Sequence, residues 1–170
     1  DLGSGFVIYG GIIGGVLSVY LYCKYKKWDV LKVFDLIIPS LALAQGFGRI
    51  GCFLAGCCYG RSTDLPIGVC FNNSPFVPPH VFRHPTQIYS SIFDFLLAIF
   101  LLKYSKSNKD SGKTFGWYVV IYGIGRTLVE FLRDDPRGNV GILSTSQFIS
   151  LFTVLFGIII LNKDRLIKIK

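Results

Sequence analysis

Five apolar stretches dominate the sequence, and each is long enough to cross a lipid bilayer, which takes about 20 mostly apolar residues. They lie at about 5–23, 31–56, 86–103, 114–132 and 146–162. Because lipid offers no partner to backbone N–H and C=O groups, we expect all five to be helices. The sequence therefore predicts an all-α fold, a polytopic membrane helix bundle with about five transmembrane helices, in one integral membrane domain over residues 1–170.

The composition agrees with a membrane protein and argues against a nucleic-acid-binding one. Hydrophobic residues make up 51% of the chain, charged residues only 16%, and the mean hydropathy is +0.51. The net charge is +8, but the lysines stand in short clusters between apolar runs instead of forming one basic patch. We therefore expect membrane lipid, and no nucleic acid, as a partner.

The lysines also predict the orientation of the chain. If five helices alternate in direction, all eleven lysines fall on one side of the membrane. They are Lys24, Lys26, Lys27, Lys32, Lys103, Lys106, Lys109, Lys113, Lys163, Lys168 and Lys170. The positive-inside rule places that side in the cytoplasm, so the N-terminus and loops 57–85 and 133–145 should face outward.

Two arginines lie inside apolar stretches, in the outer half of the membrane by this topology. Arg49 belongs to the second stretch and Arg126 to the fourth. An arginine at mid-membrane costs at least about 2.5–3.5 kcal/mol, which makes it a functional candidate. Its planar fork matches phosphate oxygens, so the functional interpretation is a clamp for a lipid headgroup. The structural alternative is an ion pair with Asp94 or Glu130, or snorkelling to the interface.

The fourth stretch carries a polar stripe in the run "YGIGRTLVEFLR". Tyr122, Arg126 and Glu130 follow each other at intervals of four residues, which places them on one helix face, and Arg133 comes three residues later. We interpret this face as the wall of a site with its own orienting carboxylate. The alternative is a stripe that only packs against the bundle.

Glycines and histidine add weaker signals. Gly48 and Gly51 flank Arg49 in "GRIGCFLAGCCYGR", where they allow either close approach of a ligand or close packing of helices. Gly14 and Gly15, in the first stretch, are expected to serve packing. His84 opens "HPTQIY", before a proline suited to a first helical turn, and is either a general base or a cap.

Five cysteines complete the candidates. Cys23 lies at the inner end of the first stretch and is expected to be inert, whereas Cys52, Cys57, Cys58 and Cys70 should lie near the outer face, where oxidation is permitted. A disulfide, a zinc site shared with His80 and His84, and ordinary small core residues are all open. The last is favoured because the spacing Cx4CCx11C is not a standard zinc pattern. We therefore expect no metal and no cofactor.

Several motifs together resemble those of the prolipoprotein diacylglyceryl transferases. "GRIGCFLAGCCYGR" resembles their GR-x-GN-F-x-N-G-E-x-x-G, "HPTQIY" their HPSQLYE, and "YGIGRTLVEFLRDDP" their YG-x-x-R-x-x-VEF-x-R-x-PD. "YGGIIGG" stands where they carry HGG-x-x-G. The resemblance runs from about Tyr9 to Gln147. Since the family usually has seven membrane helices, it implies that this chain corresponds to the C-terminal two thirds of such a protein.

The resemblance implies an enzyme of the bacterial plasma (inner) membrane, multi-pass, with its active site facing the outer side. It would move diacylglyceryl from phosphatidylglycerol to the lipobox cysteine thiol of a prolipoprotein, so these two are the implied substrates. The implied catalytic residues are Arg49, Arg126, Tyr122, His84 and Tyr9. The implied substrate-binding residues are Gly48, Gly51, Cys52, Gln87, Glu130 and Arg133.

This sequence also departs from the family pattern. Tyr9 replaces the motif histidine, Cys52 and Ala55 replace two asparagines, and Cys57 replaces a glutamate. Because the acceptor thiol comes with the substrate, transfer itself should not require a cysteine of the chain. Two other functions stay open: a membrane thiol-redox protein that uses Cys52, Cys57 and Cys58, and a non-catalytic lipid-binding relative.

Overall fold

The computed structural model describes residues 3–72, 74–76, 78–133, 139–140 and 143–162, with side chains at all of these except 3–9, 139–140 and 143–146. The five helices are α1 Gly3–Lys26, α2 Val30–Leu54, α3 Thr86–Ser107, α4 Lys113–Glu130 and α5 Thr145–Leu161. Two short antiparallel hairpins lie between them. They pair β1 Val69–Cys70 with β2 Phe82–Arg83, and β3 Asn139–Val140 with β4 Leu143–Ser144. All five apolar stretches are therefore helical, as expected.

Two of these helices meet both the length and the apolarity needed for a membrane span. They are α2, with 25 residues, and α3, with 22. At 1.5 Å per residue they are about 38 and 33 Å long, against a bilayer core of about 30 Å. The apolar part of α5, Gln147–Leu161, is shorter. Within the described residues, the structure thus agrees with a helical membrane bundle and identifies two of its candidate spans.

The polarity of the bundle is inverted relative to a soluble protein. Large apolar side chains point outward, among them Leu36 at 78% exposure and Leu54 at 81%. Meanwhile α3 turns polar side chains inward, including Thr86, Gln87 and Asp94, each at most 2% exposed. An apolar exterior of this extent is unfavourable in water and suits contact with lipid.

The helices pack in a chain of neighbours. Helix α2 packs on α3, α3 on α4 and α4 on α5, while α2 also contacts α4. The core shared by α2, α3 and α4 consists of Ile38, Ala42, Leu97, Ala98, Leu101 and Tyr118. Close approach depends on small residues: a Cβ on Gly46 would lie 2.5 Å from the ring of Phe95. The bundle therefore brings α2, α3 and α4 together around one core, which is the arrangement that builds the site.

Helix α1 is the least integrated helix and packs only on α2 among the described elements. The expectation that Gly14 and Gly15 serve helix packing is wrong for the described chain. A Cβ on either glycine would meet nothing within 4 Å. The reason is that this face of α1 points away from the other described helices.

The lysine-bearing segments meet at one end of the bundle. Asp29 caps α2 by accepting from the Leu31 amide at 3.0 Å, and its other oxygen accepts from the Ser111 hydroxyl at 2.8 Å, which joins the α1–α2 and α3–α4 loops. This hydroxyl bond is the main cause that lowers the pKa of Asp29. Lys113 Nζ donates to the Leu161 carbonyl at 2.6 Å, so the end of α5 lies there too. The prediction that the lysine-bearing segments lie on one side is therefore confirmed for the α1–α2 loop, the α3–α4 loop and the end of α5.

At the opposite end, the loop after α2 is threaded between the start of α3 and the end of α4. The Gly60 amide donates to the His84 carbonyl at 3.0 Å, and the Arg61 amide donates to the Leu132 carbonyl at 2.9 Å. A Cβ on Gly60 would lie 2.8 Å from both carbonyl oxygens. Glycine is therefore the residue that permits this three-way junction.

Candidate functional site

A narrow cleft, with a cavity volume of about 10 Å3, lies where α2, α3 and α4 meet. It is lined by Arg49, Ser90, Phe93, Asp94, Tyr122, Gly125, Arg126 and Val129. Gly125 allows α3 and α4 to approach here, since a Cβ at this position would strike the Phe93 ring. The cleft thus joins both membrane arginines of the sequence analysis, which lie 77 positions apart on two helices.

Two carboxylates accompany the arginines. Asp94 on α3 is 2% exposed and interacts electrostatically with Arg49 and with Arg126. Glu130 forms an ion pair with Arg126 at 3.4 Å, with side-chain exposures of 7% and 15%. The ion-pair alternative is therefore confirmed for Arg126 with Glu130. It does not compete with a clamp, because a guanidinium has five N–H donors and can serve a carboxylate and a phosphate together.

The stripe on α4 is one turn longer than the sequence analysis recognised. Tyr118 precedes Tyr122 by four residues, and their rings stack at 5.5 Å with 17° between planes. The Tyr118 hydroxyl donates to Gln45 Oε1 on α2 at 2.9 Å. Tyr122 and Arg126 line the cleft, whereas Glu130 supports Arg126 from the next turn. The stripe is therefore both a wall of the cleft and a contact between helices.

A second polar stripe, on α3, was missed as a site wall. Thr86, Ser90 and Asp94 follow each other at intervals of four residues, and all three are buried. Ser90 Oγ donates to the Thr86 carbonyl at 2.8 Å, and both Ser90 and Asp94 line the cleft. The signal was the same polar spacing within an apolar helix that identified α4.

His84 and Arg133, two of the predicted site residues, do not line the cleft. His84 Nδ1 is 3.3 Å from the Tyr89 hydroxyl, and its backbone belongs to the loop junction. Arg133 is 7% exposed, and its backbone pairs with Gly60 in the same junction. Tyr9 belongs to α1, but its side chain falls outside those the structure describes. For His84 and Arg133 the geometry therefore favours a place in the scaffold beside the cleft.

The two glycines that flank Arg49 are open toward the part of the chain that the structure describes. A Cβ on Gly48 or on Gly51 would meet nothing there within 4 Å. Of the two alternatives for these positions, packing against the described helices is not observed. The backbone on either side of Arg49 is therefore accessible to a molecule that approaches from outside the bundle.

Gln87 holds the loop instead of facing the cleft. Its Nε2 donates to the Cys57 carbonyl at 2.6 Å, while Thr86 Oγ1 donates to the Cys58 carbonyl at 2.9 Å. The first turn of α3 therefore fixes the segment that follows α2.

Three of the cysteines lie together where α2 ends and that segment begins. The Sγ atoms of Cys52, Cys57 and Cys58 are all within 4.8 Å of one another, and all five cysteines are free thiols. Burial, with a smaller contribution from the two neighbouring thiols, raises the pKa of Cys57 to about 12. A thiol with such a pKa is a poor nucleophile near neutral pH, which weighs against thiol-redox chemistry at Cys57. Cys23 is 1% exposed, in keeping with an inert position.

Comparison with known proteins gives one consistent result. A family model described as prolipoprotein diacylglyceryl transferase matches residues 2–162. A Clostridium tetani protein named phosphatidylglycerol–prolipoprotein diacylglyceryl transferase is 71% identical over 99% of this chain and 68% of its own length. Proteins from Clostridium perfringens and Clostridioides difficile, whose names specify the same activity, are 58% and 41% identical. These two alignments cover 98% and 92% of this chain, and 65% and 60% of the relatives.

The chain thus spans about two thirds of the length of the curated relatives it matches. The family model covers nearly all of it, including the arginine cleft, the loop after α2 and the polar stripes of α3 and α4. The membrane helices, the paired arginines and the motifs around them agree with this match, and the chain belongs to the prolipoprotein diacylglyceryl transferase family.

Proposed function

We propose that the protein transfers the diacylglyceryl group of phosphatidylglycerol to a cysteine thiol of a prolipoprotein, and that this chain supplies the phosphate-binding arginines. The observation that carries the proposal is the meeting of Arg49 and Arg126, from separate helices, in one buried cleft. The names of the similar proteins support the choice of donor and acceptor.

In the proposed reaction, the acceptor sulfur attacks the glycerol carbon that bears the phosphate oxygen. A C–S bond forms and the C–O bond breaks, and its electron pair stays on the departing glycerol phosphate. The thiol proton passes to a base whose identity we leave open. Negative charge grows on the phosphate during this step, so fixed guanidinium donors aimed at it lower the barrier. Arg49 and Arg126 take this role.

The carboxylates act as positioning groups in this proposal. Asp94 and Glu130 offset part of the charge of the two half-buried guanidinium groups, and they help to fix where the arginine forks lie. Tyr122 contributes a hydroxyl on the same wall.

The cleft is nearly closed in this conformation. Its cavity volume of about 10 Å3 is roughly that of one water molecule, far below the roughly 300–1,000 Å3 of sites that enclose drug-sized ligands. Binding of the phosphate therefore requires the side chains that line the cleft to move apart, with the acyl chains left in the surrounding lipid. The open backbone at Gly48 and Gly51 lies beside the path by which such a headgroup would enter.

We place the protein in the bacterial plasma membrane with five helices of this chain across the bilayer. The end where the lysine-bearing segments meet faces the cytoplasm, by the positive-inside rule. Arg49 and Arg126 then lie in the outer half. The site thereby faces the side on which prolipoproteins emerge.

The test uses membranes containing the full-length protein, phosphatidylglycerol labelled in its diacylglyceryl group, and a lipobox peptide. We expect label on the peptide and release of glycerol phosphate in equal amounts. A peptide with its cysteine replaced by serine is the matched control and should stay unlabelled.

Two outcomes would decide against the proposal. Lipid binding without transfer would favour the non-catalytic alternative. A reversible disulfide among Cys52, Cys57 and Cys58, seen by counting thiols with and without reductant and accompanied by no transfer, would favour thiol-redox function.

A further inference from the structure

The three-thiol cluster of Cys52, Cys57 and Cys58 is not used by the proposed transfer reaction. The three side chains are half-buried, and their Sγ atoms lie within 4.8 Å of one another. Sequence spacing gave no hint of this, because Cx4CC does not match a standard zinc pattern. Neither His80 nor His84 belongs to the cluster, so it differs from the Cys–His site considered from sequence.

The loop that presents these thiols is constrained. Cys58 has φ 64°, in the left-handed region that a non-glycine residue adopts at a cost, and Gly56 before it has φ 66°. Buried donors on α3 hold the carbonyls of Cys57 and Cys58 at 2.6 and 2.9 Å. Ser74 Oγ donates to the Gly56 carbonyl at 2.8 Å. The thiols therefore converge through a conformation that several contacts enforce.

The spacing suits a thiophilic metal ion. Zinc–sulfur bonds of about 2.3 Å in a tetrahedron place sulfur atoms about 3.8 Å apart. The observed separations of up to 4.8 Å would have to shorten by about 1 Å at most. Thiolates select Zn2+ and Cu+ over harder cations. Cys52 also lies in the last turn of α2, where the helix dipole favours positive charge.

Gln87, which holds the cluster's loop, also keeps a buried acceptor. The residue is 1% exposed, and its Nε2 donates to the Cys57 carbonyl. Its Oε1 is buried and has no hydrogen-bond partner among the described residues. Three thiolates leave one position of a tetrahedral ion open, which a water molecule can occupy.

We propose that Cys52, Cys57 and Cys58 bind one thiophilic metal ion, Zn2+ or Cu+, that ties the last turn of α2 to the loop after it. Cys52 lies one helical turn beyond Arg49, so the ion holds in place the end of the helix that carries this arginine. The role is structural and does not depend on the proposed transfer reaction.

The test is metal binding by the purified full-length protein in detergent, reduced and stripped of metal. Titration with Zn2+ against a competing chelator should give one saturable equivalent, and Co2+ in its place should give the charge-transfer absorption of thiolate ligands. Changing Cys52, Cys57 and Cys58 together to serine should lower the affinity at least a hundredfold. The matched control changes Cys23 and Cys70, which lie outside the cluster, and should bind as the unchanged protein does.

Thermal unfolding gives a second readout. Zn2+ should raise the melting temperature of the unchanged protein and of the control, but not of the triple variant. If the triple variant does not fold, Cys52→Ser and Cys57→Ser alone should each lower the affinity at least tenfold. If Cu+ binds more tightly than Zn2+, the proposed site stands and Cu+ is its ion. Absence of saturable binding, equal binding by the triple variant, or a disulfide among the three thiols in protein isolated without air would overturn the proposal.

Discussion

Replacing Arg126 by lysine tests whether the shape of the guanidinium matters to the proposed transfer, or only its charge. Lysine keeps the positive charge opposite Glu130, which lies 3.4 Å from Arg126, but it cannot donate two parallel hydrogen bonds to a phosphate. A hydrogen bond to a charged group contributes about 1.5–3 kcal/mol. At 1.36 kcal/mol for each factor of ten, losing one such bond should slow transfer by about 10- to 150-fold.

The assay is the initial rate of label transfer in membranes, corrected for the amount of folded protein. Arg126→Ala should be at least as slow, and it should also accumulate less because it removes the ion pair with Glu130. Arg61→Lys is the matched control, since Arg61 is exposed and does not line the cleft. If Arg126→Lys keeps close to the full rate, charge alone suffices and the bidentate clamp is refuted.

Three further changes test other parts of the structure. Gly125→Ala should lower the free energy of unfolding by about 1–3 kcal/mol, because the added Cβ would strike an aromatic ring of α3. Gly48→Ala, at an open position, is the control and should leave thermal unfolding in detergent nearly unchanged. Asp29→Ala should remove the cap of α2 at a cost of about 1 kcal/mol. The folded state lowers the pKa of Asp29, so the stability that Asp29 contributes is fully present above its ordinary pKa and is lost as the pH falls through its folded-state pKa. The unchanged protein and Asp29→Ala should therefore differ in stability at neutral pH and become equal in acid. An impermeant thiol reagent applied to intact cells should label single cysteines placed in 62–72 and spare one placed at Ser107; the reverse pattern would invert the proposed topology.

The helices were predictable from sequence because apolar length alone dictates them in lipid. The sequence predicts that Arg49 and Arg126 lie at a similar depth in the membrane, since both belong to the outer halves of their helices. Depth does not say which helix faces touch, however. That is set by contacts such as the one between Gly125 and Phe93, which pattern reading does not weigh.

Side-chain clusters in the loop were beyond the sequence analysis for a different reason. The convergence of Cys52, Cys57 and Cys58 depends on left-handed backbone at Gly56 and Cys58. Of these two residues, only Gly56 has a residue type that predicts left-handed backbone. The polar stripe through Ser90 and Asp94, in contrast, was readable by the rule already applied to α4.

The threading of Gly60 and Arg61 between His84 and Leu132 has a consequence for biosynthesis. The Arg61 amide finds its carbonyl partner 71 positions later in the chain. A ribosome-bound chain that has inserted α2 and α3 therefore still lacks the contact that closes this end of the bundle. Closure must wait until α4 has emerged and been inserted, and α4 is the helix that brings Arg126. Pairing of the two arginines and closure of the loop are thus events of the same late stage of assembly, so a chain that stops before α4 acquires neither.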